Sequence, residues 1–134
     1  MKLPRFISAP LILCLLPFCA PIEAMADTPS TAASVIAVGE RHVCAVSVDG
    51  SVRCWGSPEN PATHVPPDLG PVTQVAAGAG FSCAVTVAGR VRCWGSPDAD
   101  PPADLEHVVQ ISAGSFHTCA VIAYGSLRCW GRQD

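Results

Sequence analysis

Three times in this 134-residue chain a Gly-x-x-x-x-Cys stretch leads, through a further glycine, to a closing Cys-Trp-Gly: Gly39 to Gly56, Gly78 to Gly95 and Gly114 to Gly131. The cysteines fall as Cys44 and Cys54, Cys83 and Cys93, Cys119 and Cys129, with one spacing inside every copy, while successive copies are offset by 39 and then 36 residues. A period of that size belongs to propeller blades and solenoid units, which cannot bury an apolar face alone and must stack on a neighbour.

Residues 1–26 read as an export signal and not as part of that stack. Lys2 and Arg5 give a basic start, Phe6 to Ala20 is an apolar run broken by Pro10 and Pro17, and Ala24-Met25-Ala26 offers the small residues a signal peptidase requires, so cleavage is expected after Ala26. A membrane anchor would need about 20 uninterrupted apolar residues. Residues 27–33 look like a flexible start, and residues 34–134 divide into repeats 34–71, 72–107 and 108–134. Of the eight cysteines, Cys14 and Cys19 leave with the leader, and the remaining six all lie in the repeats. An even, paired set in an exported chain reads as disulfides and places the protein in the periplasm or outside the cell. From totals of 8 basic and 11 acidic residues the leader takes Lys2, Arg5 and Glu23, leaving six arginines against ten acids. That negative balance argues against a nucleic-acid partner.

Each repeat reads as three short strands, an all-β pattern. The first ends at a glycine (Ser34 to Gly39, Gln74 to Gly78, Gln110 to Gly114); the other two flank Gly50, Gly89 or Gly125 as a hairpin. A two-residue turn would set Cys44 across from Trp55 and send the two cysteines to opposite faces. A three-residue loop, with only the glycine left-handed, sets Cys44 across from Cys54 and Val46 across from Val52. Ala88 and Tyr124, which precede the glycine in the other copies, are poor at positive φ and favour the same choice. One bridge inside each hairpin follows, at a non-hydrogen-bonded pair where facing Cα atoms are closest. One face then gathers Cys83, Val85, Val87, Val91 and Cys93, and in the third copy Cys119, Val121, Ala123, Leu127 and Cys129; Thr86, Arg90 and Arg92 lie on the other. The proline-rich stretches Ser57 to Pro71 and Ser96 to Glu106 read as stiff surface connections.

No constellation points to catalysis. His42 and His117 share a repeat position with Phe81; a metal would need the nearby thiolates, which are bridged in an oxidising compartment, so an aromatic filling the turn is the simpler reading. No nucleophile elbow, Cys-x-x-Cys or phosphate loop is present. Asp98 and Asp100, beside prolines, read as solvated loop acids. Arg53, Arg92 and Arg128 stand two residues before Trp55, Trp94 and Trp130, on the same side of each strand. They read either as a ladder for an acidic partner or as stems covering a packed tryptophan. The chain is therefore expected to be non-enzymatic, with no cofactor and no metal.

The run Gly114-Ser-Phe-His117-Thr-Cys-Ala-Val, the close Leu127-Arg-Cys-Trp-Gly131, and their counterparts from Gly39 and Gly78 resemble the repeat of the regulator of chromosome condensation family, in its exported, cysteine-containing bacterial variety. The resemblance implies β-propeller-type blades of short antiparallel strands and a platform that binds another protein. Arg41, His42, Phe81, Phe116 and His117 in the turns, with Arg53, Arg92 and Arg128, are the candidate contacts. Family propellers close with about seven blades, so three imply an incomplete propeller whose open edges are either covered by self-association or a partner or left as an open, disulfide-stapled wedge. The alternative is a truncated member acting only as a structural fragment.

Overall fold

In the computed structural model residues 33–132 are described; the expected leader, its cleavage site and the start of the chain up to residue 32 lie outside the described residues. Nine strands form three separate antiparallel sheets: β1 (Ala33–Val38), β2 (His42–Ser47) and β3 (Val52–Gly56); β4 (Val72–Ala77), β5 (Ser82–Thr86) and β6 (Val91–Trp94); β7 (Val108–Ala113), β8 (His117–Ile122) and β9 (Leu127–Gly131). Each sheet is one blade, with the first strand beside the second and the second beside the third.

The hairpin register is the three-residue one. Cys44 faces Cys54, Cys83 faces Cys93 and Cys119 faces Cys129, each pair disulfide-bonded with Cα atoms 4.0 to 4.1 Å apart. Below each bridge a β-turn closes onto glycine, as Gly50 N–H donates to Ser47 O and Gly89 N–H to Thr86 O, both at 2.9 Å. Glycine takes positive φ at Gly50, Gly89 and Gly125, but in the third turn Tyr124 does so as well (φ 77°). The expectation that only the glycine would be left-handed fails there. Ladder and bridge impose the register, and the fully exposed Tyr124 absorbs the backbone strain.

Both faces of the middle blade are packed, which corrects the single apolar face expected from alternation. Cys44, Val46, Val52 and Cys54 of blade one lie in one cluster with Val75, Ala84 and Trp94 of blade two. Cys83, Val85 and Val91 of blade two likewise meet Ile111, Ala120 and Trp130 of blade three. At both junctions a bridged face therefore rests on the alanine–tryptophan face of the next blade. Val87 and Leu127, expected inside, are 66% and 63% exposed: Val87 sits in a hairpin loop, and no further blade covers Leu127 among the described residues.

The connections are also more than surface spacers. Each carries one 3-10 turn, Pro61–Thr63 and Pro97–Ala99, and inserts a leucine between blades, Leu69 in the first and Leu105 in the second. Backbone bonds at 2.9 Å from Val72 N–H to Gly50 O and from Val108 N–H to Gly89 O pin the start of each blade to the hairpin loop of the one before. A bulge follows at once, between Val72 and Gln74 and between Val108 and Gln110, as it does between Ala33 and Val35.

Glycine at the end of the first strand is required by packing. A Cβ on Gly78 would enter the Phe81 ring, whereas one on Gly80 meets nothing within 4 Å. Gly78→Ala should lower unfolding stability in urea by about 2 kcal/mol or more, with Gly80→Ala within about 0.5 kcal/mol of the parent. Leu105→Ala should cost about 2 to 4 kcal/mol if the second connection is part of the core.

Candidate protein-binding surfaces

The turns after the first strands form one rim. Gly39, Gly78 and Gly114 donate their backbone N–H groups to the carbonyls of His42, Phe81 and His117, and the ring at that position lies against the glycine. Glu40 N–H donates to Gly78 O and Ala79 N–H to Ser115 O, so the three turns are tied into a row. Along it runs a shallow groove of about 290 Å³ lined by Val38, Glu40, Ala79 and Ser115. Arg41 and Phe116 project from the rim into solvent; Arg132 stacks on Phe116 with its guanidinium 5.7 Å from the ring centre.

His42 and Phe81 do not lie on this surface. Both are buried, and His42 is wired across the first interface: Asn60 donates to its Nδ1 at 3.4 Å, and its Nε2 lies 2.7 Å from Ser82 Oγ, which donates to Ala62 O at 3.1 Å. With Nδ1 accepting, the proton sits on Nε2 and the ring is neutral. Asn60 also caps the 3-10 turn by accepting from Ala62 N–H. Burial pushes the His42 imidazole below its usual pKa, against a smaller upward effect of its bond with the Phe81 backbone. His117, at the same position of blade three, is exposed.

The arginine and tryptophan positions share one geometry. Trp94 Nε1–H donates to Ala62 O at 2.8 Å and Trp130 Nε1–H to Ala99 O at 2.9 Å. Arg92 and Arg128 hold Asp68 and Asp104 through both guanidinium nitrogens at 3.3 to 3.4 Å. Those bonds and the arginine charge hold the two carboxyls below the usual carboxylate range. Arg53 and Trp55 of blade one have no such partners among the described residues, and Trp55 is 51% exposed. A tryptophan and arginine that serve the inside of the stack thus stand open at its first face.

With this geometry in place, the model of the regulator of chromosome condensation (RCC1) repeat matches residues 34–60, 72–99 and 108–134, one match to each blade. The chain belongs to the RCC1 repeat family. No curated protein sequence matches it. Among solved structures it is similar to the CRINKLY WD40 ectodomain of the receptor kinase ACR4 from Arabidopsis thaliana, at 31% identity, TM-score 0.62, over 72% of this chain and 37% of that one. The ectodomain of the receptor kinase CR4 from Physcomitrella patens matches at 26% identity and TM-score 0.62, over 72% of this chain and 31% of that one. Prp20p of Saccharomyces cerevisiae, at 20% identity, TM-score 0.58 and coverage of 72% and 32%, shares the fold. The chain spans about a third of the length of the solved structures it matches.

Among the described residues no three His, Cys, Asp or Glu side chains are grouped to hold a metal ion, and no helix is long and apolar enough to cross a membrane. His42 and His117 sit in different blades of the RCC1 stack, and Asp98 and Asp100 are both exposed at one 3-10 turn. Missed from the sequence were Asn60, Ser82, Asp68 and Asp104. The two aspartates carried a signal, since each follows proline by one or two residues and precedes a leucine at the same distance from its Arg-x-Trp.

The lowered His42 pKa fixes the sign of a pH effect. The unfolded chain takes up a proton near pH 6.5 that the folded one resists, so the stability due to neutral His42 is complete above that pH and is lost as pH falls through the folded value. Thermal unfolding followed from pH 7.5 to pH 5 should show the midpoint falling below about pH 6.5. His42→Phe, which installs the side chain of blade two at this position, should flatten that slope.

Proposed function

We propose that this RCC1-repeat chain is an exported, non-enzymatic module that binds another protein through the rim of first-strand turns. The observation that carries the reading is the contrast within the rim. Its backbone repeats blade after blade, while the side chains it displays do not: exposed Glu40-Arg41, half-buried Ala79-Gly80 and exposed Ser115-Phe116. A rigid frame presenting unlike side chains can be read by a partner, and an exposed aromatic beside arginine is the composition enriched at binding hot spots.

Export is supported by three disulfides, which persist in oxidising compartments, by the basic-then-apolar start of the sequence, and by the likeness to two receptor-kinase ectodomains. The solved relative Prp20p is described with binding properties to Gsp1p and histones, and a second Prp20 structure is bound to Kap60. Protein binding thus occurs on this fold, with partners that the fold does not choose.

Cross-linking of the purified protein in periplasmic extract or culture fluid should capture a protein through the segments around Arg41 and Phe116. Phe116→Ala combined with Arg41→Glu should reduce capture about tenfold or more, with Arg90→Ala unaffected. Capture that is indifferent to the rim substitutions, or absent, would overturn this reading.

A further inference from the structure

We propose that the open face of blade one is a docking site for a polypeptide segment carrying an aspartate followed by an aliphatic residue, the chemistry of the chain's own Pro-x-Asp-Leu connections. This rests on the protein-binding reading and assigns it a second surface with a defined ligand.

Two rows of side chains make up the face. Strand pairing sets Ile36, Ala45 and Arg53 in one row and Val38, Val43 and Trp55 in the next. The equivalent rows in blade two are Val75, Ala84 and Arg92 with Ala77, Ser82 and Trp94. In blade three they are Ile111, Ala120 and Arg128 with Ala113, Thr118 and Trp130. The chain therefore contains two occupied copies of this receptor. In each, one segment supplies a backbone carbonyl to the indole, a carboxylate to the arginine fork and a leucine to the cluster beside it: Ala62, Asp68 and Leu69 in the first, Ala99, Asp104 and Leu105 in the second. Blade one presents the same indole and fork with no occupant among the described residues, and with Ile36 and Val38 61% and 71% exposed. An exposed indole donor, a guanidinium and two aliphatics in one plane match the three groups such a segment offers.

The chain's own upstream sequence has no Pro-x-Asp-Leu run at the equivalent step. Asp68 precedes Arg92, and Asp104 precedes Arg128, by 24 residues; the same step back from Arg53 reaches Pro29, followed by Ser30. Asp27, the nearest upstream acid, is out of step.

Nor does a second copy stacked head to tail. Both Pro-x-Asp-Leu segments of a folded copy are already engaged with Arg92 and Arg128. The stacking face of blade three carries His117, whose counterpart His42 bonds Ser82; on blade one that position is Val43, so a buried His117 would face methyl groups with no partner. The two open faces of the stack thus reject each other and accept different occupants.

The test uses a peptide of residues 99–106 (Ala-Asp-Pro-Pro-Ala-Asp-Leu-Glu) with blocked ends, titrated into the oxidised protein while the three tryptophan indole N–H signals are followed by NMR. Trp94 and Trp130 already have carbonyl partners, so the Trp55 signal, assigned with Trp55→Phe, should move alone and saturably. Arg53→Ala in the protein, or Asp104→Asn in the peptide, should each weaken binding about fivefold. Arg41→Ala should not change it. A Trp55 signal that stays still at millimolar peptide, that follows the Asn peptide equally well, or that shifts on simple dilution of the protein because a second copy covers it, would overturn the proposal. If the peptide fails while cross-links still map to Arg41 and Phe116, the docking site falls and the rim reading stands.

Discussion

The middle three-stranded sheet has two apolar faces, and the fold answers both with one contact used twice. The disulfide-bridged face of a blade lies on the alanine–tryptophan face of the next, and small residues at Ala84 and Ala120 let the sheets approach. The indole at the edge of that contact is amphipathic. Its ring covers apolar surface while its single donor reaches the connection's carbonyl, Ala62 O or Ala99 O. Because that carbonyl belongs to the segment linking the two sheets, sheet packing and chain path are set together.

The bridges work within this scheme as fasteners of register. Each joins a facing pair in its own hairpin, so they hold strand to strand and leave the packing of blade against blade to side chains. The third hairpin keeps its neighbours' alignment despite an unfavourable Tyr124 in its turn. Alignment here follows the bridge and the ladder, and the turn conforms to them.

Polar groups between blades are few and each is matched. Among the described residues every buried side-chain nitrogen and oxygen has a hydrogen-bond partner. His42 with Ser82 at the first interface and Cys83 Sγ beside Thr118 Oγ1 at the second, where Phe81 stands at the histidine's position, show that matching differs from one junction to the next. A blade therefore carries information about its neighbour. Arg53, Trp55 and Val43 on one face of the stack and His117 on the other have no facing blade among the described residues.

The repeat, the hairpins, their cysteine pairing and the all-β class were legible in the sequence because each depends on near-neighbour spacing. A separation of ten positions between the cysteines and a glycine at the turn leave one register that bridges them. Arg-x-Trp was legible as a unit as well, through strand alternation. What only the tertiary structure decided was which faces meet: that Ala84 and Trp94 are buried along with Cys83, that Leu69 and Leu105 of the proline-rich connections enter the core, that His42 is inside while His117 is not, and that Asp68 and Asp104 occupy the arginine forks. These outcomes depend on residues 24 to 40 positions apart being brought together by stacking. A strand's own alternation cannot report that both of its sides will be covered, since burial belongs to the pair of blades and not to either one.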